Sequence, residues 1–253
     1  MNKPIVVKIG GSTLGNHDTT LEDLVTLQKD GKTVVVVHGG GNLITRWLSR
    51  QGVATRLVDG LRVTDEETIE VVVAVLCGLV NKDLVAAIQS LGGRAIGLSG
   101  IDGRLIEAKI KDEKLGYVGE VVRINSEPVE NLLREGFMPV IAPLGFGADG
   151  QKLNINADTA AGELAAGLGA SRLILLTDVA GVMDRLGKPL PRIPASDVSS
   201  LIKSGVVVGG MIPKVQACLC ALSTVGEAHI VDGRKPHALI EAIAGKASGT
   251  TII

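Results

Sequence analysis

The strongest constraint on the fold is a repeated pattern in which a short β-branched run ends at glycine and a segment of helical spacing follows. The first run is 4–9, which ends at Gly10-Gly11, and the second is 33–37, which ends at His38-Gly39-Gly40-Gly41. A further apolar run at 173–177 also predicts a buried strand, although a loop at 178–194 follows it. Uninterrupted β-branched runs are typical of parallel strands buried on both faces, and the helical segments between them must cover those faces. The pattern therefore predicts an α/β fold with a mainly parallel sheet and helices on both sides.

Composition agrees with such a fold and excludes several other classes. Apolar residues make up 45% of the 253 residues but aromatic residues only 2%, so the core must be aliphatic. Nucleic-acid binding requires aromatic platforms or a basic stripe, and a net charge of −1 without a dense Lys/Arg block indicates neither. No signal pattern opens the chain, and its apolar stretches are expected to be too short to span a bilayer. We therefore expect a cytoplasmic protein whose ligands are small molecules.

The cysteines and histidines predict no disulfide framework and no metal site made by the protein. Cys77, Cys218 and Cys220 are an odd number without regular spacing, which is typical of small buried apolar side chains. The four histidines are scattered along the chain and form no HExxH or Cys/His motif.

Three glycine-rich turns are candidates for an anion site. They lie at 8–12, 38–42 and 209–214, and two of them contain a lysine, Lys8 or Lys214. Glycine allows the backbone to approach a ligand closely, and a helix start adds partial positive charge. A single turn of this kind is as well explained by an ordinary strand–helix connection, but three together favour binding of phosphate or carboxylate. No Walker P-loop, dinucleotide fingerprint, nucleophile elbow or protein-kinase motif accompanies them.

Four polar residues near predicted helix starts have two interpretations each. Asp158 could cap the alanine-rich helix that follows it, or it could orient the lysines. Asn154 and Asn156 alternate on an extended stretch and could position a polar substrate together. Arg62 could be a solvated loop arginine or a fork that grips a carboxylate. The same segment predicts a helix capped by Thr64, with Glu67 completing a capping box.

Seven motifs in order resemble the amino acid kinase family. They are K-I-G-G-S, V-H-G-G-G-N, G-L-R-V-T, G-L-S-G-I-D, N-I-N-A-D, L-T-D-V-A-G-V and G-G-M-I-P-K-V, and they run from Lys8 to about Lys214. The third and fifth are most similar to family members that act on N-acetyl-L-glutamate. The resemblance implies a three-layer α/β/α sandwich around a mainly parallel sheet, as one domain of residues 1–253. Within it, about 1–155 would hold the acyl substrate and about 156–253 would hold ATP.

The resemblance also implies a role for each matched residue. Lys8 and Lys214 would stabilise the transferring phosphoryl group, Asp158 would hold both lysines, and Gly10 and Gly11 would offer backbone N–H groups. The residues implied to bind the acyl substrate are Gly40, Gly41, Arg62, Asn154 and Asn156. The residues implied to line the nucleotide pocket are Thr177, Asp178, Val179, Ala180, Gly181, Val182, Met183, Val206, Val207, Val208, Gly210 and Met211. Gly209 and Val208 stand where relatives can have a polar residue, so this side departs from the family pattern.

The implied reaction is phosphorylation of the side-chain carboxylate of N-acetyl-L-glutamate, with ATP and Mg²⁺, as a step of arginine biosynthesis. The alternatives are a kinase for carrier-linked aminoadipate in lysine biosynthesis and a non-catalytic nucleotide or amino-acid sensor. Aspartate, glutamate, uridylate and carbamate kinases share the glycine turns but match the third and fifth motifs less well. Because only seven residues precede Lys8, we expect a homodimer without arginine feedback.

Overall fold

The computed structural model describes residues 3–10, 19–246 and 249–253, which form both strands and helices. The strands are β1 (Ile5–Ile9), β2 (Val34–His38), β3 (Leu57–Val58), β4 (Leu61–Arg62), β5 (Ala95–Ser99), β6 (Ile106–Ile110), β7 (Gly119–Ile124), β8 (Met138–Ala142), β9 (Leu144–Phe146), β10 (Lys152–Asn154), β11 (Arg172–Thr177), β12 (Arg192–Ile193), β13 (Ala228–Asp232) and β14 (Gly249–Ile252). The helices are α1 (Thr20–Lys29), α2 (Gly41–Arg50), α3 (Glu66–Val73), α4 (Asn81–Ser90), α5 (Glu127–Arg134), α6 (Ala157–Gly167), α7 (Ala195–Lys203), α8 (Met211–Ala221) and α9 (Ala238–Ile243).

The central sheet has the strand order β12-β14-β13-β11-β1-β2-β8-β5 among the described residues. Its pairs are parallel except for β13 and β14, which run antiparallel. β1 lies between β2 and β11, with Ile9 in register with both His38 and Leu176. The carboxyl ends of these three strands therefore meet at one edge of the sheet, which is where open parallel sheets bind ligands. The predicted mainly parallel sheet is confirmed.

Alternating strand residues divide the core into two layers. Val6, Val35 and Leu175 belong to a cluster that also contains buried residues of α5, α6, α7 and α8. Val7 and Val36 belong to a second cluster on the opposite face, with buried residues of α1, α2, α3, α4 and α9. Successive side chains of a strand point to opposite faces, so one apolar run supplies both clusters. The result is the three-layer α/β/α sandwich that the resemblance implies.

Two smaller sheets lie beside the central one. β6 and β7 pair antiparallel and form part of a four-stranded sheet of order β10-β9-β6-β7. None of β3, β4, β9 and β10 was predicted as a strand. These strands are only two or three residues long, too short for an alternating pattern to show. Turn residues dominate their surroundings, and Asp149 has a positive φ of 53° between β9 and β10.

The N-cap of α3 lies one residue later in the chain than predicted. Asp65 is the N-cap, and its side chain accepts a hydrogen bond from the Thr68 amide at 2.9 Å. The predicted capping box of Thr64 and Glu67 is therefore wrong. The Thr64 hydroxyl instead donates to the carbonyl of Arg62, which holds Thr64 beside β4.

α3, a π-helical segment (Ala74–Val80) and α4 form one continuous helical run, Glu66–Ser90. By length and composition these 25 residues could cross a membrane, so the expectation that every apolar stretch is too short is wrong. In this fold the run packs against the central sheet, and Val72, Leu76 and Ile88 are buried in the core.

An ion pair joins the two ends of the chain and makes stability depend on pH. Nδ1 of His237 lies 2.8 Å from Oδ1 of the buried Asp23 in α1. The hydrogen bond and charge of Asp23 raise the pKa of His237, and Glu22 and Glu241 add to the effect. The charged imidazole therefore stabilises the fold below the ordinary histidine pKa of about 6.5, and this contribution is lost as pH rises through the raised value.

Thermal unfolding should show His237→Gln to be more destabilising at pH 6 than at pH 9, and an equal loss at both values would contradict this role.

Candidate active site

One buried carboxylate bridges the two predicted lysines. Oδ1 of Asp158 lies 2.8 Å from Nζ of Lys8, and Oδ2 lies 2.8 Å from Nζ of Lys214. All three side chains are at least 85% buried, with exposed fractions of 9% for Lys8, 6% for Asp158 and 15% for Lys214. Each comes from a different element, respectively β1, α6 and α8. The sequence placed Lys8 and Lys214 beside separate glycine turns, and the fold brings them to one point.

Close packing of α6 and α8 makes this convergence possible. A Cβ atom at Gly162 of α6 would lie 2.6 Å from the backbone oxygen of Ala217 in α8. Glycine at this position lets the two backbones approach, so Lys214 in the first turn of α8 reaches Asp158 in the first turn of α6.

The charge of Asp158 depends on its two partners. Burial raises the pKa of the carboxyl, but the ammonium groups of Lys8 and Lys214 outweigh burial and hold the pKa below its ordinary value. Asp158 is therefore ionised at neutral pH.

Asn156, and not Asp158, caps α6. Its Oδ1 atom accepts hydrogen bonds from the amides of Asp158 at 2.9 Å and Thr159 at 3.1 Å. The capping interpretation of Asp158 is therefore wrong, because another residue satisfies the helix start. Asn156 also lines the cleft described below, but its oxygen is engaged with the helix and is not free for a ligand.

A cleft of about 360 Å³ brings together the residues predicted to bind the acyl substrate. Gly40, Gly41, Arg62 and Asn154 all line it. Nδ2 of Asn154 donates to the Thr64 hydroxyl at 3.1 Å, which fixes the Asn154 amide close to the end of β4. Lys8, Asp158 and Asn156 also line the cleft, which therefore extends to the buried ion pair of Lys8 and Asp158.

Arg62 is held in place by groups on the cleft wall. Its Nη2 donates to the Gly41 carbonyl at 2.9 Å and to the Thr45 hydroxyl at 2.8 Å, and its Nη1 donates to the Thr55 hydroxyl at 2.9 Å. The guanidinium has five N–H donors. Within the described part of the chain, these contacts leave Nε and one N–H of Nη1 for a ligand. The interpretation as a solvated loop arginine is wrong, since the side chain is oriented before any substrate binds.

A second cavity of about 160 Å³ continues from the first on the other side of Lys8. Lys8 and Gly41 line both cavities, and Lys214, Thr177 and Asp178 line only the second of these two. Gly10 also lines it, whereas Gly11 lies outside the described residues. Two ligands could therefore meet at the lysines, one from each side.

The remaining residues of the predicted nucleotide pocket follow β11 and precede α8. Val182 and Val207 are each only 1% exposed, so their side chains belong to the core and only their backbone could face a ligand. Val179 and Val208 are 40% and 60% exposed. The others in the two segments are Ala180, Gly181, Met183, Val206, Gly210 and Met211, and Gly210 is the N-cap of α8.

Two residues near the cleft were missed from the sequence. Asn42 lines both cavities, and its position directly after three glycines is a signal that could have found it. His38 is fully buried beneath the same turn. Its side chain does not reach the cleft surface, and the sequence alone gives no sign of its contacts.

Comparison with known proteins identifies the family. The model of the amino acid kinase family matches residues 3–232. The chain belongs to the amino acid kinase family. An acetylglutamate kinase from Dehalococcoides mccartyi is 43% identical over 257 residues, covering 99% of this chain and 94% of that protein. One from Zymomonas mobilis is 47% identical over 268 residues, covering 99% of this chain and 89% of that protein.

A solved structure shows the same architecture in this family. The crystal structure of smu.665 from Streptococcus mutans UA159 matches with a TM-score of 0.86 and 32% sequence identity. The match covers 100% of this chain and 99% of that one. These matches confirm the predicted family and fold, and the sequence relatives confirm the stated similarity to acetylglutamate kinases.

Proposed function

We propose that this protein transfers the γ-phosphoryl group of ATP to the side-chain carboxylate of N-acetyl-L-glutamate, as a step of arginine biosynthesis. The observation that carries the proposal is the Lys8–Asp158–Lys214 bridge at the junction of two cavities. One cavity has an oriented arginine and a glycine turn for an anionic acyl substrate, and the other leads to the nucleotide segments. The sequence relatives that cover nearly the whole chain are named for this activity.

The chemistry fits a site without a general base. A carboxylate acceptor is ionised at neutral pH, so one of its oxygens can attack the γ-phosphorus directly. As that P–O bond forms, the bond to the bridging oxygen of ADP breaks, and ADP leaves with the electron pair. The obstacle is the approach of one anion to another, which positioning and cations overcome. Lys8 and Lys214 supply two positive charges, and Asp158 fixes where they are held.

Mg²⁺ fits the site as a partner of the nucleotide. No group of three or more His, Cys, Asp or Glu side chains that could hold a metal occurs within residues 3–10, 19–246 and 249–253. Mg²⁺ commonly binds through substrate phosphates and water with few protein ligands. Bound with ATP, it would neutralise charge on the phosphates.

Formation of acyl hydroxamate tests the activity and its alternatives. The protein is incubated with ATP, Mg²⁺ and hydroxylamine, and with N-acetyl-L-glutamate, glutamate, aspartate or aminoadipate in turn. We expect product with N-acetyl-L-glutamate and little with the others. Preference for aminoadipate would favour the lysine-pathway alternative, and no product with any of them would favour a sensor.

Replacement of Arg62 by lysine is expected to raise the KM for N-acetyl-L-glutamate by about a hundredfold and to leave the KM for ATP within about twofold. Lysine keeps the charge but loses the planar fork that Thr55, Thr45 and Gly41 orient. Steady-state kinetics with each substrate varied in turn measures both constants. Arg134→Lys, on the exposed face of α5, is the matched control and should change neither. An equal rise in both KM values would contradict the assignment of Arg62 to the acyl substrate.

The location and assembly of the protein remain predictions. We infer that it acts in the cytoplasm, as its small-molecule chemistry suggests, and that it forms a homodimer. The division of labour between residues 1–155 and 156–253 is part of the same proposal. It is supported by the site, where Lys8 and Arg62 come from the first part and Asp158 and Lys214 from the second. Sedimentation of the purified protein tests the dimer.

A further inference from the structure

His38 is a fully buried polar residue directly before the glycine turn of the acyl-substrate cleft. It is the last residue of β2 and is 0% exposed. Its Nδ1 lies 2.9 Å from the carbonyl oxygen of Gly39, and its Nε2 lies 3.2 Å from Nδ2 of Asn81. A carbonyl oxygen can only accept, so Nδ1 carries the hydrogen and Nε2 accepts from Asn81. The two contacts together fix one neutral tautomer of the ring.

The amide of Asn81 is itself fixed, so it can hold the ring. Its Nδ2 also donates to the carbonyl of Val140 at 2.8 Å, and its Oδ1 accepts from Nζ of Lys82 at 3.0 Å. These partners allow only one orientation of the amide. The backbone of Gly97 makes room for it, because a Cβ atom there would lie 1.9 Å from Oδ1 of Asn81.

The π-helical segment directs Asn81 toward the turn. In an α-helix, residues five positions apart lie about 140° apart around the axis, whereas i→i+5 bonding brings them to nearly the same side. Leu76 and Asn81 are five apart; Leu76 packs against Gly40, and Asn81 bonds to His38 directly before the glycine turn. A Cβ atom at Gly40 would lie 2.6 Å from Cδ2 of Leu76 and 3.3 Å from Cγ2 of Val80. The π-helical segment therefore supports the glycine turn through the apolar side chains of Leu76 and Val80, and Asn81 directly after it bonds to His38.

The bond from His38 determines which way the next peptide faces. The described residues contain no cis peptide bond, so the C=O of Gly39 and the N–H of Gly40 point in opposite directions. His38 draws that C=O into the protein interior. The N–H of Gly40, which lines the cleft, is thereby turned away from the interior.

We propose that His38, held by Asn81, is a positioning residue that turns the Gly39–Gly40 peptide so that an N–H, and not a carbonyl oxygen, is presented to the anionic acyl substrate. This role rests on the proposed function of the cleft. An inverted peptide would place a partial negative charge beside a carboxylate and weaken its binding. The nucleotide lies beyond Lys8, so binding of ATP should not depend on this peptide.

The ring acts as a neutral hydrogen-bond donor and not as a charge. Burial, with a smaller contribution from nearby Lys82, lowers the pKa of His38 to about 4, although the bond to Gly39 acts in the opposite direction. The effect of His38 should therefore be constant across neutral pH.

Two isosteric variants separate this role from simple core packing. The amide nitrogen of Asn occupies nearly the position of Nδ1, so His38→Asn can keep the bond to Gly39. The amide of Gln occupies nearly the position of Nε2, so His38→Gln keeps the contact with Asn81 and loses the bond to Gly39. We expect His38→Gln to raise the KM for N-acetyl-L-glutamate by about tenfold and His38→Asn by no more than about threefold, with the KM for ATP unchanged in both. Equal effects of the two variants, or an equal rise in the KM for ATP, would overturn the proposal.

A spectroscopic measurement on the unmodified protein keeps the proposal testable if the variants do not fold or if the activity is different. The ¹⁵N chemical shifts of histidine distinguish the Nδ1–H tautomer, the Nε2–H tautomer and the imidazolium. We expect the Nδ1–H tautomer of His38 at pH 7, and either other form would overturn the proposal. If the hydroxamate panel identifies another acyl substrate, the proposed function fails but the comparison of His38→Asn and His38→Gln is made with that substrate.

Discussion

Lys8→Ala and Lys214→Ala are each expected to lower kcat by about a thousandfold and to change the affinity for ATP by much less. Their Nζ atoms lie on either side of one carboxylate, at the junction of the two cavities, where the phosphoryl group would pass between substrates. Charge that is placed before the reaction stabilises the transition state most, because nothing has to reorganise as charge moves. In the proposed function, ground-state ATP would make further contacts along the predicted nucleotide segments, so its binding should depend less on either lysine.

Single-turnover kinetics and calorimetric titration with ATP measure the two quantities separately. Lys203→Ala is the matched control, because Lys203 is exposed in the last turn of α7. It should leave kcat and affinity unchanged. Near-normal turnover in both Lys8→Ala and Lys214→Ala would refute these roles.

Asp158→Asn is expected to impair both the fold and the reaction. The substitution removes the one negative charge between two buried ammonium groups, and an amide cannot replace it. Loss of one partner of a buried ion pair costs about 3–5 kcal/mol of the free energy of unfolding. We also expect kcat to fall by about a hundredfold or more, because the lysines lose the group that fixes their positions.

The pKa of Asp158 determines how the stability lost in Asp158→Asn varies with pH. Since the folded pKa of Asp158 is lowered, its contribution is present above the unfolded value of about 3.8 and is lost as pH falls through the folded value. The difference in stability between wild type and Asp158→Asn should therefore be full at pH 7 and shrink below about pH 4. Chemical denaturation at several pH values measures it. Asp197→Asn, at an exposed position of α7, is the control, and a loss in it as large as in Asp158→Asn would contradict the mechanism.

Element types were predictable where the sequence pattern was long enough. The apolar run 173–177 was placed within one residue of β11 (Arg172–Thr177), because a buried parallel strand needs an uninterrupted apolar run. The strands β3, β4, β9 and β10 were not found, since two or three residues contain no period and their pairing depends on distant neighbours. The π-helical segment could not be predicted from the sequence either, because its composition does not differ from that of an α-helix.

Site residues were predictable as a set but not in every role. Motif order identified Lys8, Lys214, Asp158 and Arg62, and the structure brings all four to adjoining cavities. Sequence alone could not decide whether Asp158 or Asn156 caps α6, because both residue types cap helices and they stand two positions apart. Only the observed hydrogen bonds assign the cap to Asn156 and leave Asp158 for the lysines.

The amino-acid sequence by itself determined the fold class and the chemical character of the site. Aliphatic runs that end at glycine require a covered parallel sheet, and lysines beside those glycines indicate an anion site at the strand ends. Tertiary structure alone decided which groups meet. Lys8 and Lys214 stand more than 200 positions apart in the chain, and their common carboxylate depends on the close packing of α6 and α8 at Gly162. The same holds for His38, whose ring is oriented by an amide from the distant α4, because long-range contacts of this kind have no local sequence period.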